Sequence, residues 1–262
     1  MTPIVLRVGD SAVAEYVTEP EVDPTLVPRP YLHPIRTIAG TVVTDVQPAD
    51  HPWHLGAGVA MPDVSGANLW GGRTYVAGRG YIWLPDHGRI AHTAWRSETS
   101  AAVTHDLAWR GPQGDTLLAE RRTVRAAATT SGWRLTFALR LTNPGDTPIA
   151  LRSPAVNGRG DGAGYGGFFW RLPPTTDLTL AAGPSHEERD INGSAWPHLT
   201  VRGHTPAGPY TLSFTGLTDT DRWFVRAAEY PAVGIAFAFE HPLVIPPAAT
   251  IQRIYSVMVS DG

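Results

Sequence analysis

Apolar and polar residues alternate at every second position in many short segments of the chain. In the longest such run, small or polar residues separate Trp133, Leu135, Phe137, Leu139 and Leu141. A period of two places successive side chains on opposite faces of a strand, so this run predicts a half-buried β-strand. Further segments predict strands at 4–8, 41–46, 101–109, 117–126, 199–202, 210–215, 232–239 and 251–259.

Turn signals separate these segments, and helical periodicity is nearly absent. The 27 glycines and 24 prolines are spaced as turns, as in Asn143-Pro-Gly-Asp146, which argues against long helices. Many short strands with no helices between them predict an antiparallel sandwich or barrel. Because no linker or internal repeat divides the chain, we expect one all-β domain over residues 1–262, a large antiparallel β-sandwich.

Composition narrows the chemistry that the chain can perform. It has no cysteine, which excludes disulfides and thiol nucleophiles, and all 21 basic residues are arginines, which excludes Schiff-base and Walker A lysine chemistry. The net charge is −3 and the arginines are scattered, so no nucleic-acid partner is expected. No apolar run reaches the roughly 20 residues of a membrane span, and no signal peptide is visible. We therefore expect a cytoplasmic protein with no membrane partner.

Three of the ten histidines lie close together in a segment rich in proline, arginine and tryptophan. His33 follows Arg29 by four positions, and His51 and His54 share the sequence His-Pro-Trp-His. Residues three apart point to opposite faces of a strand, but a turn restrained by Pro52 would let the two rings converge. Converging imidazoles would supply a general acid and base, or ligands of a divalent metal, and both alternatives stay open.

A glycine-rich segment forms a second candidate site. Its Gly-x-Gly-x-x-Ala pattern resembles a dinucleotide loop, but Tyr-Gly-Gly-Phe-Phe-Trp follows, with no helix to receive a pyrophosphate. Glycines beside arginines and aromatics suit a backbone that bends tightly or lets a ligand approach. We expect a polar and aromatic binding wall formed by Arg159, Asp161, Tyr165, Trp170 and Arg171.

Other binding candidates surround the remaining tryptophan-rich stretches. The nine tryptophans exceed what core packing usually needs, so some are expected to line a concave site, with Trp70, Arg73 and His87 as candidates. Glu229 is flanked by apolar residues just before a predicted strand. If it is buried, its pKa would rise and suit acid–base work; the alternative is a solvated position at a strand end.

Four motifs together resemble a bacterial family that carries the label "methane oxygenase PmoA", and the resemblance runs over nearly the whole chain. They are Arg29-Pro-Tyr-Leu-His-Pro, Asp50-His-Pro-Trp-His-Leu-Gly, Asn68-Leu-Trp and Gly164-Tyr-Gly-Gly-Phe-Phe-Trp-Arg. The resemblance implies proteins that accompany sugar-oxidising dehydrogenases and a fold similar to the supersandwich of galactose mutarotases. Methane oxidation is not expected, because the membrane subunit of methane monooxygenase needs several transmembrane helices.

In galactose mutarotases a histidine acid and a glutamate base open and close a sugar ring, so the resemblance implies His51 or His54 as acid and Glu229 as base. The leading hypothesis is a carbohydrate-active enzyme that performs such chemistry on a sugar or oxidised sugar, as a mutarotase, epimerase, lyase or hydrolase, without a cofactor. One alternative is a carbohydrate-binding protein without catalysis. The other is a metal-dependent enzyme in which His33, His51 and His54 hold a divalent ion.

Overall fold

The computed structural model describes residues 2–218 and 220–262, and two large sheets dominate it. The first sheet contains β1 Ile4–Val8, β2 Ser11–Val17, β3 Tyr31–Ile35, β4 Ala57–Val64, β5 Ala67–Leu69, β12 Ile149–Arg152, β13 Gly167–Arg171, β17 Arg222–Arg226, β18 Ala232–Ala236 and β19 Leu243–Ile245. The second contains β8 Arg89–Glu98, β9 Ala102–Arg110, β10 Thr116–Thr129, β11 Gly132–Thr142, β14 Thr176–Ala181, β15 His198–Thr205, β16 Gly208–Thr215 and β20 Thr250–Asp261.

A separate hairpin and two short helices complete the secondary structure. The hairpin pairs β6 Thr74–Val76 with β7 Gly80–Ile82. A 3-10 turn covers Pro24–Leu26, and α1 covers Glu188–Ile191. Within the described ranges, no helix has the length and apolar character needed to cross a bilayer.

Both sheets are antiparallel meanders with long-range crossovers. The main path of the ten-stranded sheet runs β1-β2-β3-β4-β13-β18-β17, and the eight-stranded sheet runs β14-β15-β16-β20-β11-β10-β9-β8. The all-β sandwich is therefore confirmed. The predicted strand at 41–46 is wrong, because this segment makes only isolated bridges, Arg36 with Val42 and Val46 with Leu55, instead of a ladder.

The two sheets share one hydrophobic core. The alternation predicted for β11 is confirmed, since Trp133 and Leu135 are buried while Arg134 and Arg140 are exposed. The ten-stranded sheet contributes every second residue of its central strands to the same core, namely Phe168, Trp170, Trp223, Val225, Val233 and Ile235.

The opposite face of the ten-stranded sheet carries a second apolar cluster. Its members alternate with the core residues along β13, β17 and β18, because neighbouring side chains on a strand point to opposite faces. They include Phe169, Phe224, Ala232 and Ala236. This face, turned away from the other sheet, holds the candidate site.

A buried polar network links the two sheets inside the core. Arg122 donates from Nε and Nη2 to the carboxylate of Glu120 at 2.6 and 2.9 Å. Its Nη1 donates at 3.3 Å to the hydroxyl of Tyr16 on the opposite sheet. The same hydroxyl lies 2.9 Å from Nε2 of His105, whose burial, helped by the positive charge of Arg122, lowers its pKa to about 3.

Candidate functional site

A cavity of about 390 Å³ opens beside the second apolar cluster. This volume is within the usual range for small-molecule sites, roughly 300–1,000 Å³. Half of its lining residues are tryptophan, tyrosine or phenylalanine, namely Trp53, Trp70, Tyr81, Trp83, Tyr165, Phe224 and Tyr230.

The His-Pro-Trp-His segment forms two successive turns beside this cavity. The amide of His51 donates to the carbonyl of Pro48 at 3.0 Å, and the amide of His54 donates to the carbonyl of His51 at 2.9 Å. The turns bring the two imidazoles together as a stack, with 4.7 Å between ring centroids and 19° between planes. The predicted convergence of His51 and His54 is confirmed, and both rings line the cavity.

Asp50 orients the first of these imidazoles. Its Oδ2 lies 2.7 Å from Nδ1 of His51. Partial burial opposes ionisation of Asp50, but the hydrogen bond with His51 and the charge of Arg171 prevail and lower its pKa. An ionised carboxylate only accepts hydrogen bonds, so Nδ1 of His51 carries the hydrogen and Nε2 is left for a ligand.

His54 is held in a drier position behind His51. Only 1% of the residue is exposed, and its Nδ1 has no hydrogen-bond partner among the described residues. Burial lowers the pKa of His54 well below its ordinary value, and the neighbouring His51 and Arg171 act in the same direction. His54 is therefore a neutral imidazole at neutral pH.

Asn68 fixes the position of the Trp70 ring. Its Oδ1 accepts hydrogen bonds from the amides of Trp70 and Gly71, both at 2.9 Å, which holds the turn after β5. The Trp70 ring then packs against Tyr165 and Phe169, with centroids 4.6 and 4.9 Å away. Such aromatic contacts add about 0.5–1.5 kcal/mol each beyond the burial of apolar area.

The β6–β7 hairpin adds a polar group to the aromatic wall. The hydroxyl of Tyr81, on β7, lies 2.8 Å from the hydroxyl of Tyr165. Arg159 donates a hydrogen bond to the Tyr81 hydroxyl and stacks over its ring at 4.9 Å. The hairpin and the glycine-rich segment thus meet at this cavity, and the predicted candidates Arg159 and Tyr165 line it.

The cavity lining includes further charged side chains. Arg73 lies over the ring of Trp83, which is 55% exposed, at 5.9 Å. Arg226 and Glu229 also line the cavity. Glu229 is exposed in the loop between β17 and β18, so of the two alternatives the solvated position holds.

Trp170 and His33 do not line the cavity, which corrects two predicted site residues. Trp170 is fully buried in the inter-sheet core, where its Nε1 donates to the carbonyl of Val43 at 2.7 Å. Strand alternation turns its neighbour Phe169 toward the site instead. His33 lies on β3, and its Nδ1 is 3.0 Å from Oγ1 of Thr44.

Four other predicted binding residues support the cavity from outside or stand apart from it. Arg29 donates to the carbonyl of Trp53 at 2.7 Å and so fixes the backbone of that turn. Nε2 of His87 lies 2.7 Å from the carbonyl of Gly72. The remaining two are Arg171, which lies over the Tyr230 ring, and Asp161, an exposed residue whose side chain does not line the cavity.

The proposed three-histidine metal site does not form. His33 is engaged with Thr44 and does not line the cavity that His51 and His54 share. In the part of the chain that the structure describes, no group of three His, Cys, Asp or Glu side chains is arranged to hold a metal ion.

Several residues that line the cavity are not among the site residues predicted from the sequence, namely Trp53, Tyr81, Trp83, Phe224, Arg226 and Tyr230. Trp53 lies within the His-Pro-Trp-His motif, so that motif could have revealed it. Phe224 and Tyr230 come from β17 and the loop after it, and only the order of strands in the sheet brings them to the histidines.

The fold resembles those of known structures. A galactose mutarotase related enzyme from Lactobacillus acidophilus matches with a TM-score of 0.52 at 9% identity, covering 99% of this chain and 97% of that chain. A putative aldose 1-epimerase from Escherichia coli K12 matches with a TM-score of 0.50 at 13% identity, covering 100% and 99%. At these identities the likeness defines a galactose mutarotase-like fold.

The sequence itself places the chain in a family. A family model described as a family of unknown function (DUF6807) matches residues 3–262, so the chain belongs to that family. No curated protein matches the sequence. The resemblance to the family labelled PmoA stays a prediction.

Proposed function

We propose that the protein binds a sugar in the aromatic cavity and catalyses proton transfer on the sugar ring, as a mutarotase or epimerase does. The observation that carries this proposal is the oriented imidazole of His51 beside an aromatic cavity of about 390 Å³. Aromatic faces stack on the apolar faces of sugar rings, and imidazole exchanges protons near neutral pH. The two similar structures are named as a mutarotase-related enzyme and a putative aldose 1-epimerase, which supports this class.

Ring opening of an aldose requires one group to remove the proton of the anomeric hydroxyl and another to protonate the ring oxygen. We assign protonation of the ring oxygen to the imidazolium form of His51, which carries a second hydrogen on Nε2, and removal of the hydroxyl proton to the Glu229 carboxylate. Closure runs the same transfers backwards, so both groups are restored after a cycle. Asp50 holds the His51 ring through Nδ1, and the neutral His54 packs against its face.

The test is to measure anomer exchange of aldoses by NMR with the wild-type protein and with His51→Ala and Glu229→Gln. Loss of a general acid or base typically costs 10²–10⁴-fold in rate, so at least a hundredfold loss is expected for each variant. His198→Ala, an exposed histidine on β15 of the other sheet, is the matched control and should keep the wild-type rate. A folded His51→Ala protein with an unchanged rate would refute the assignment.

The exposed position of Glu229 favours a second candidate function, sugar binding without catalysis. This alternative uses the same aromatic walls and leaves the acid–base pair without a role. It requires saturable binding of a sugar to the wild-type protein, a weaker complex in Trp70→Ala, and no exchange of anomers above the buffer rate.

A further inference from the structure

The charges around the cavity are distributed unevenly for a chain whose net charge is −3. Apart from histidines and tyrosines, its ionisable lining residues are three arginines, Arg73, Arg159 and Arg226, and one acidic residue, Glu229. An excess of positive charge in a cleft attracts anions and raises their local concentration. The cavity is therefore cationic although the protein as a whole is acidic.

Both terminal nitrogens of Arg226 already donate hydrogen bonds to the protein. Its Nη1 donates to the carbonyl of Val225 at 2.8 Å, and its Nη2 donates to the carbonyl of Gly162 at 3.1 Å. Its guanidinium also lies 3.6 Å from the carboxylate of Glu188. Arg226 thus secures the glycine-rich segment to β17.

Arg159 differs from Arg226 because most of its donors remain. It donates to the Tyr81 hydroxyl and stacks on the ring of that residue. Within residues 2–218 and 220–262, no carboxylate oxygen lies within 4.0 Å of its guanidinium nitrogens. A guanidinium has five N–H donors in a planar fork. The half-buried Arg159 therefore has donors available for hydrogen bonds to a ligand.

The tyrosine pair adds one more donor at the same place. The two hydroxyls of Tyr81 and Tyr165 lie 2.8 Å apart, so one of their two hydrogens fills the bond between them. Whichever hydroxyl donates, the hydrogen of the other remains for a ligand. The Arg159 end of the cavity therefore offers several donors and a positive charge.

We infer that the ligand is a sugar acid, an oxidised sugar whose carboxylate binds Arg159 and the Tyr81–Tyr165 hydroxyl pair. An ionised carboxylate only accepts hydrogen bonds and matches the guanidinium fork, which is the complement of this donor cluster. A neutral sugar would meet the Arg159 donors only with uncharged hydroxyl oxygens, which form weaker hydrogen bonds than a carboxylate does. The inference rests on the proposed function, in that the cavity must bind a sugar, and it narrows the substrate class.

The test is isothermal titration with matched pairs of neutral sugar and sugar acid, D-galactose against D-galacturonate and D-glucose against D-glucuronate. Hydrogen bonds to charged groups are worth enough to make the matching acid bind roughly 10- to 100-fold more tightly than its neutral partner. Arg159→Gln should remove this preference. Arg189→Gln, which changes the charge equally at a side chain 85% exposed on α1, should keep it. Tyr81→Phe keeps Arg159 and all charges and should reduce the preference for the acid over the neutral sugar. This variant provides the test if Arg159→Gln does not fold.

The outcomes separate this inference from the proposed function. Equal affinities for acid and neutral sugar, together with exchange of anomers, would overturn the inference and leave the proposed function standing. A preference for the acid that persists in both Arg159→Gln and Tyr81→Phe would also overturn it. Tight binding of the acid through Arg159 without turnover would support the inference and refute the catalytic role. Binding of neither class of sugar would overturn both.

Discussion

The position of Trp53 depends on the absence of a side chain at residue 72, and Gly72→Ala tests this dependence. A Cβ at this residue would lie 2.8 Å from both Cδ2 and Cε3 of the Trp53 indole. Carbon atoms in contact lie about 3.5–4.0 Å apart, so the ring must retreat by about 0.7 Å. Because Trp53 lines the cavity, its displacement changes the shape of the aromatic wall.

Backbone strain and steric crowding both lower the free energy of unfolding of Gly72→Ala, and a control variant separates the two contributions. Gly72 has φ +69°, where a residue with a Cβ costs roughly 1–2 kcal/mol. Gly78→Ala shares this backbone cost, since Gly78 has φ +74° in the β6–β7 turn, but its Cβ would meet no atom within 4 Å. Crowding at a packed site typically adds 1–3 kcal/mol, and Trp53 is only half-buried, so we expect an additional loss of about 1 kcal/mol for Gly72→Ala.

Urea unfolding monitored by tryptophan fluorescence measures the free energies of unfolding, and titration with a sugar acid measures the affinity. Gly72→Ala should bind roughly tenfold more weakly than Gly78→Ala, which corresponds to about 1.4 kcal/mol. Equal stability and equal affinity of the two variants would refute the reasoning, because the shared backbone cost would then be the whole effect.

Two further predictions concern the polar network in the core. Folding lowers the pKa of His105 to about 3, so its contribution to stability is complete above pH 6.5 and is lost as the pH falls toward 3. Lowering the pH from 7 to 5 should therefore reduce the free energy of unfolding, measured with urea, by about 2 kcal/mol through this group. The His105→Gln variant should lose less stability over the same pH range. An equal loss in the variant would contradict the assignment. Glu120→Gln should lower the free energy of unfolding by about 3–5 kcal/mol, because it leaves the buried Arg122 cation without its carboxylate. The double variant with Arg122→Met should recover most of that loss, and a single variant within 1 kcal/mol of wild type would speak against this account.

The sequence was sufficient to predict the fold class because the alternation is strong where one face of a strand is buried. In β11, five apolar residues of the run from Trp133 to Leu141 match the buried face. The segment 41–46 has the same apolar character but crosses outside the ladders, bridging at Val42 and Val46. Local pattern does not distinguish a strand from an extended segment, since the difference lies in the partner that it pairs with.

The candidate site was predictable only where its residues are close in the chain. His51 and His54 converge through a local turn, which proline and the spacing already suggested. From the sequence we predict Trp170, and not Phe169, at the site, because the unbroken apolar run 168–170 gives no signal for which face meets the other sheet. Tyr81 reaches the site from a separate hairpin, and no local signal records that long-range approach.

The two faces of strand β13 have different structural roles. Phe168 and Trp170 fill the core, while Phe169 between them supports the histidine stack, with 4.8 Å between the centroids of Phe169 and His54. Insertion or deletion of a single residue inside this strand would exchange the two sets, pushing core side chains into the cavity and removing the ring behind His54. Evolution can therefore vary the loops around β13 in length, but it must preserve the length of this strand to keep both the scaffold and the binding site.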